Sequence, residues 1–124
     1  MKQTIFLGSD HGGFELKEHI KKFLKADTSI VIQDLGTDSE KSVDYPDIAK
    51  YVCEKIINEK DALGILCCGT GIGISMKANR YKSIRAAVVY DEETAMMTKK
   101  HNNANVLCLG GRTTDFKTAK LLIN

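Results

Sequence analysis

Gly64-Ile65-Leu66-Cys67-Cys68-Gly69-Thr70-Gly71-Ile72-Gly73-Ile74-Ser75 joins a short apolar run to a glycine-spaced turn and the start of a helical pattern. A run of this length that stops at small residues predicts a buried strand feeding a helix N-terminus. The first N–H groups of such a helix carry partial positive charge, and Gly69, Gly71 and Gly73 let the backbone approach a ligand closely. The same field would favour thiolate over thiol at Cys68. A base next to an anion-binding loop is equipment for proton transfer through an enolate.

The same beat extends in both directions. Apolar runs at 4–8, 30–35, 62–68, 84–90 and 105–110 alternate with amphipathic stretches at 14–25, 47–59, 72–79, 92–100 and 115–123. Phe14, Ile20, Phe23 and Leu24 form a helical stripe among lysines and glutamates. The apolar runs are rich in Ile, Val and Leu and do not alternate with polar residues, as expected of strands buried on both faces. Strand–helix units in succession predict an α/β fold, a parallel sheet with helices on both faces.

Composition narrows the function classes. The 124 residues suffice for one domain with a real core, 43% of them hydrophobic and 27% charged. A net charge of +2, with lysines spread along the helices, argues against nucleic acid as a partner. No stretch approaches the ~20 apolar residues of a membrane span. The N-terminus runs directly into Ile5-Phe6-Leu7, so no secretory signal is expected. The four cysteines sit in apolar stretches without zinc-ligand spacing and read as reduced thiols in the cytoplasm; no metal site is expected.

Ligands of an open parallel sheet bind outside the carboxyl ends of its strands. The segments there are Ser9-Asp10-His11-Gly12-Gly13, then Gly36-Thr37-Asp38 running on to Asp44-Tyr45-Pro46, the loop after Cys68, Tyr90-Asp91, and Gly110-Gly111-Arg112. Glu59-Lys60-Asp61 and Tyr81-Lys82-Ser83, at the opposite ends, read as solvated turns. Strand alternation sends Cys67 and Cys68 to opposite faces, so if Cys68 faces the cleft, Cys67 is core, like Cys53 and Cys108. His19 reads as a surface residue within a helix. His11, between Asp10 and two glycines, would suit a phosphate. His101 either caps the fourth helix or shuttles protons near neutrality. Arg112 either grips a phosphate or is an ordinary surface arginine. Gly69-Thr70-Gly71-Ile72-Gly73 is not the dinucleotide fingerprint, because the glycine spacing is wrong and no acidic residue closes the next strand.

The ordered set Ser9-Asp10-His11-Gly12-Gly13-Phe14-Glu15-Leu16-Lys17, Asp44-Tyr45-Pro46, Cys68 through Ser75, His101-Asn102, Asn105-Val106-Leu107 and Gly110-Gly111-Arg112 closely resembles the sugar-phosphate isomerase family. That family includes ribose-5-phosphate isomerase type B and the galactose-6-phosphate isomerase subunits. The resemblance runs from the first strand to the end of the chain. It implies a three-layer α/β/α Rossmann-like sandwich with sheet order 2-1-3-5-4, which periodicity does not reveal. It further implies a cofactor-free aldose–ketose isomerase, with no metal, that interconverts ribose 5-phosphate and ribulose 5-phosphate through an enediolate. A homodimer with active sites shared across its interface comes with it.

Carried over by position, Cys68 would be the base that moves the proton between C1 and C2. The backbone amides of Gly69, Thr70, Gly71, Ile72 and Gly73, with Asn102, would hold the enediolate oxygens. His101, assisted by Thr70, would open the furanose ring. Asp10 and Tyr45 would position sugar hydroxyls, and His11 and Arg112 would bind phosphate. Asp10 rivals Cys68 as base but lacks its place beside the anion loop. Relatives usually continue with a further helix and tail bearing more phosphate-binding arginines, so residues 1–124 are expected to form a single domain without them. Two other readings stay open: an isomerase of allose or galactose 6-phosphate, or a non-catalytic sugar-phosphate-binding module.

Overall fold

The computed structural model describes residues 3–36, 45–59, 61–100 and 103–114. Five parallel strands, β1 (Gln3–Ser9), β2 (Ile30–Asp34), β3 (Leu63–Cys68), β4 (Ala86–Val88) and β5 (Val106–Gly110), form one sheet in the order β2-β1-β3-β5-β4. Between them run α1 (Phe14–Lys25), α2 (Tyr45–Ile57), α3 (Ile72–Ala78) and α4 (Glu92–Lys100). A short 3-10 turn, His11–Gly13, links β1 to α1. The predicted fifth helix at 115–123 lies outside the described residues, as do Thr37, Asp38 and Asp44. Among the described residues, no helix is long and apolar enough to cross a membrane.

Period-two alternation in the central strands builds two cores. Phe6, Leu66, Cys68, Val106 and Cys108 pack with Ile48, Val52, Cys53 and Ile56 of α2 and Ile74 and Ala78 of α3. Ile5, Leu7, Ile65, Cys67 and Leu109 pack on the other side with Leu16, Ile20 and Leu24 of α1, and Ala95 of α4 joins them. In α1 the fully buried stripe is therefore Leu16, Ile20 and Leu24, with Phe14 and Phe23 only half-buried. Lys17 is buried in the same stripe.

Burial on both faces holds for the central strands but fails for the flanking ones. β2 alternates half-buried and exposed residues, and all three residues of β4 are half-buried. Both are edge strands, so position in the sheet overrides their apolar composition. β4 is also shorter than the apolar run at 84–90. Before it, the N–H of Arg85 donates to Asn105 Oδ1 (2.8 Å). At Ala86 the side-chain amide of Asn79 stands in for a sixth strand. It accepts the Ala86 N–H (2.8 Å) and donates to the Ala86 carbonyl (2.9 Å). The solvated turns at the far ends of the strands include left-handed Asp61 (φ 63) and Ser83 (φ 71), both exposed.

Candidate active site

Parallel pairing lines up the carboxyl ends of the central strands, opposing Ser9 to Cys67 and Cys68 to Gly110. The loops that follow are tied backbone to backbone. Asp10 N–H donates to the Cys67 carbonyl (3.1 Å), Gly111 N–H to the Cys68 carbonyl (2.7 Å), and Arg112 N–H to the Gly69 carbonyl (2.9 Å). Close approach requires glycine at two of the crossings. A side chain at Gly111 would collide with the Gly12 carbonyl, and one at Gly110 with Thr113 Oγ1 and the Thr70 backbone. Asp10, His11, Cys68, the 69–73 loop and Arg112, separated by a hundred positions in sequence, thus meet at one end of the sheet.

Cys68 ends β3 with 5% of its surface exposed, and its Sγ accepts the Gly71 N–H at 3.1 Å. Gly71 takes left-handed backbone (φ 83) to aim that N–H at the sulfur. Cys67 is fully buried in the opposite core. Burial first, then the adjoining Cys68, pushes the Cys67 thiol far above its ordinary range. Burial likewise pushes Cys53 up to about 12 and raises Cys108. These three are inert packing thiols; Cys68 alone of the four meets the loop.

Two of the amides expected to be bare have protein partners: Gly71 donates to Cys68, and Ile72 N–H to Thr70 Oγ1 (3.2 Å). Thr70 and Ile72 are exposed, and Gly69 and Gly73 half-buried. The Arg112 guanidinium is exposed and lies against Gly69, where an added Cβ would sit 3.2 Å from Nη1. Asp10 is buried, and its Oδ1 accepts the N–H groups of Gly12 (2.9 Å) and Gly13 (3.2 Å), capping the turn that carries half-buried His11. This capping bond makes Asp10 a builder of the loop as well as a candidate hydroxyl contact. His19 is exposed on α1, 4.0 Å from Glu15. Tyr45 opens α2, but its side chain lies outside the described residues, as do His101 and Asn102. Among the described residues, no three His, Cys, Asp or Glu side chains are placed to hold a metal ion.

Sequence reasoning missed Lys17 and Asp34. Lys17 is 1% exposed, and its Nζ donates to both carboxylate oxygens of Asp34 at the end of β2 (2.8 and 2.6 Å). The signal was present: a lysine in helical register with Ile20 and Leu24, and an acid near the end of an apolar run.

Residues 5–124 match the Ribose/Galactose Isomerase family. The chain is similar to ribose-5-phosphate isomerase B of Escherichia coli, with 38% identity over 124 residues, 100% of this chain and 82% of that protein. The solved ribose-5-phosphate isomerase B of Clostridium thermocellum superposes with a TM-score of 0.94 at 42% identity, covering 98% of this chain and 81% of its own. That of Mycoplasma genitalium, solved with bound ribulose-5-phosphate, superposes with a TM-score of 0.92 at 41% identity, covering 99% and 82%.

Proposed function

The chain belongs to the ribose/galactose isomerase family, and we propose that it interconverts ribose 5-phosphate and ribulose 5-phosphate by proton transfer at Cys68. The observation that carries the mechanism is the sulfur of Cys68 at the strand end, held by the Gly71 N–H where three strand-end loops are tied together.

Starting from the aldose, the Cys68 thiolate removes the C2 proton and the carbonyl oxygen on C1 gains charge. Backbone amides of the 69–73 loop other than those of Gly71 and Ile72, which bond Cys68 and Thr70, meet that charge with Asn102, so stabilisation comes from dipoles already in place. The proton returns from sulfur to C1, the 2-hydroxyl proton moves to O1, and the carbonyl reappears at C2; no electron leaves the substrate. His101, helped by Thr70, opens the furanose ring. Asp10 and Tyr45 hold sugar hydroxyls, and His11 and Arg112 take the phosphate through charge-assisted bonds. The reaction needs no cofactor. The molecule works as one domain in a homodimer with shared active sites, for which Ile72 and Met76, exposed one turn apart on α3, offer an apolar face. A cytoplasmic setting suits a reaction that depends on a reduced thiol.

Mixing the protein with ribose 5-phosphate and following ribulose 5-phosphate tests the reading. Turnover is expected. Saturable binding without turnover would replace the enzyme with a binding module, and turnover of a 6-phosphate aldose alone would reassign the substrate.

A further inference from the structure

We propose that Lys17 is a positioning residue for the sugar-phosphate site, acting through Asp34 and Gly36 on the loop that carries Asp10 and His11. The inference rests on the assignment of that loop to substrate.

A fully buried ammonium is a costly choice for packing alone, because an apolar side chain of similar length fills the space without desolvation. What the charge adds is fixed geometry. Lys17 Nζ bonds both oxygens of Asp34 and lies 5.4 Å from the centroid of the Phe14 ring. Asp34 Oδ1 also accepts the Gly36 N–H (3.0 Å). Gly36 stands at φ +120, a conformation that a side chain would strain. Its carbonyl accepts the Ser9 N–H at 2.6 Å. The Ser9 hydroxyl is buried and has no hydrogen-bond partner among the described residues, so its backbone anchors this position. The next residue is Asp10, whose carboxylate caps the turn bearing His11. A continuous chain of bonds thus runs from the helix core to the loop. Lys21, at 2.9 Å from Asp34 Oδ2, is partly exposed and leaves Asp34 paired when Lys17 is changed.

The test compares Lys17→Met, Lys17→Arg and the double variant Lys17→Met/Asp34→Leu with the parent. The readouts are KM and kcat for ribose 5-phosphate, and the affinity for inorganic phosphate from its effect on melting temperature. Lys17→Met should weaken phosphate binding and raise KM by about tenfold, with kcat within about threefold. Lys17→Arg, still able to make a forked bond to Asp34, should recover most of the loss. The apolar double variant should regain melting temperature without regaining phosphate affinity. Recovery of both together, or an unchanged phosphate affinity in Lys17→Met, would overturn the proposal. Phosphate binding is read without turnover, so a parent inactive on ribose 5-phosphate would sink the functional reading and leave this comparison decisive.

Discussion

Cys67 and Cys68 are the same side chain in adjacent positions, and the pleat of β3 gives them different chemistry. Cys67 packs in the apolar cluster on the α1 side with a thiol held protonated by burial, whereas the Cys68 sulfur accepts a backbone N–H from the loop. Cys68→Ala should therefore lower the isomerisation rate by roughly 10²–10⁴-fold with substrate affinity nearly unchanged. It should lose some stability as well, because the Cys68 sulfur packs in the core and accepts the Gly71 N–H. Cys67→Ala should retain activity and lose roughly 1–2 kcal/mol of stability through the cavity it leaves. Steady-state kinetics and denaturant titration on the two variants separate these outcomes. An exchange of the two phenotypes would mean that the strand register and the base assignment are both wrong. Asp10, the rival base, already commits one carboxylate oxygen to the turn that follows it.

Between elements, the turns are stapled by contacts that single substitutions can break. Gly71 both adopts φ 83 and leaves room for the β5 backbone, since an added Cβ would lie 3.0 Å from the Leu109 carbonyl carbon. Gly71→Ala should cost about 1–2 kcal/mol from the left-handed backbone alone. It should also reduce kcat, because relief of that strain moves the N–H away from Cys68. Wild-type kcat in a destabilised Gly71→Ala protein would show that this donor is dispensable. The α1–β2 staple predicts a pH dependence. Burial pushes the Asp34 carboxyl upward, but Lys17, the Gly36 N–H and Lys21 together bring it below its ordinary value of 3.8. The carboxylate is thus the form favoured by folding. Its contribution to stability is complete above the unfolded-state value and disappears as pH falls through the lower folded-state value. Acid titration of unfolding free energy should show this loss below about pH 4. Asp34→Asn should be less stable at neutral pH and lack that part of the acid dependence; parallel curves would exclude Asp34 as its source.

Across the whole molecule, stability should be graded from the middle of the sheet to its edges. β1, β3 and β5 carry the fully buried Leu7, Leu66, Cys67, Cys108 and Leu109, while β2 is partly exposed and β4 is three residues long. Local opening is cheapest where few apolar contacts are lost. Native-state hydrogen exchange should therefore be slowest at Ile65, Leu66 and Leu109 and clearly faster through β4. Asn79→Ala, which strips the side-chain amide from Ala86, should accelerate exchange there selectively. Uniform protection across all five strands would instead indicate that the sheet opens only as a unit.

Much of this architecture is local and was readable from residue order. The helices at 14–25 and 92–100 coincide with α1 and α4, and the apolar run ending at Cys68 with β3, because periodicity and glycine punctuation act over a few residues. The strand-end rule then placed Asp10, His11, Cys68 and Arg112 at one end of the sheet. Strand adjacency was not legible that way, since apolar runs of similar composition do not say which neighbours they pair with; the family resemblance supplied the order 2-1-3-5-4. Tertiary structure alone decided the rest. It made β2 and β4 edge strands, bonded the edge of β4 to Asn79 and the residue before it to Asn105, buried Cys68 to 5% exposure, and closed the pair between Lys17 and Asp34. Each of these depends on contacts between distant parts of the chain, whose energies arise only once the sheet has brought them together.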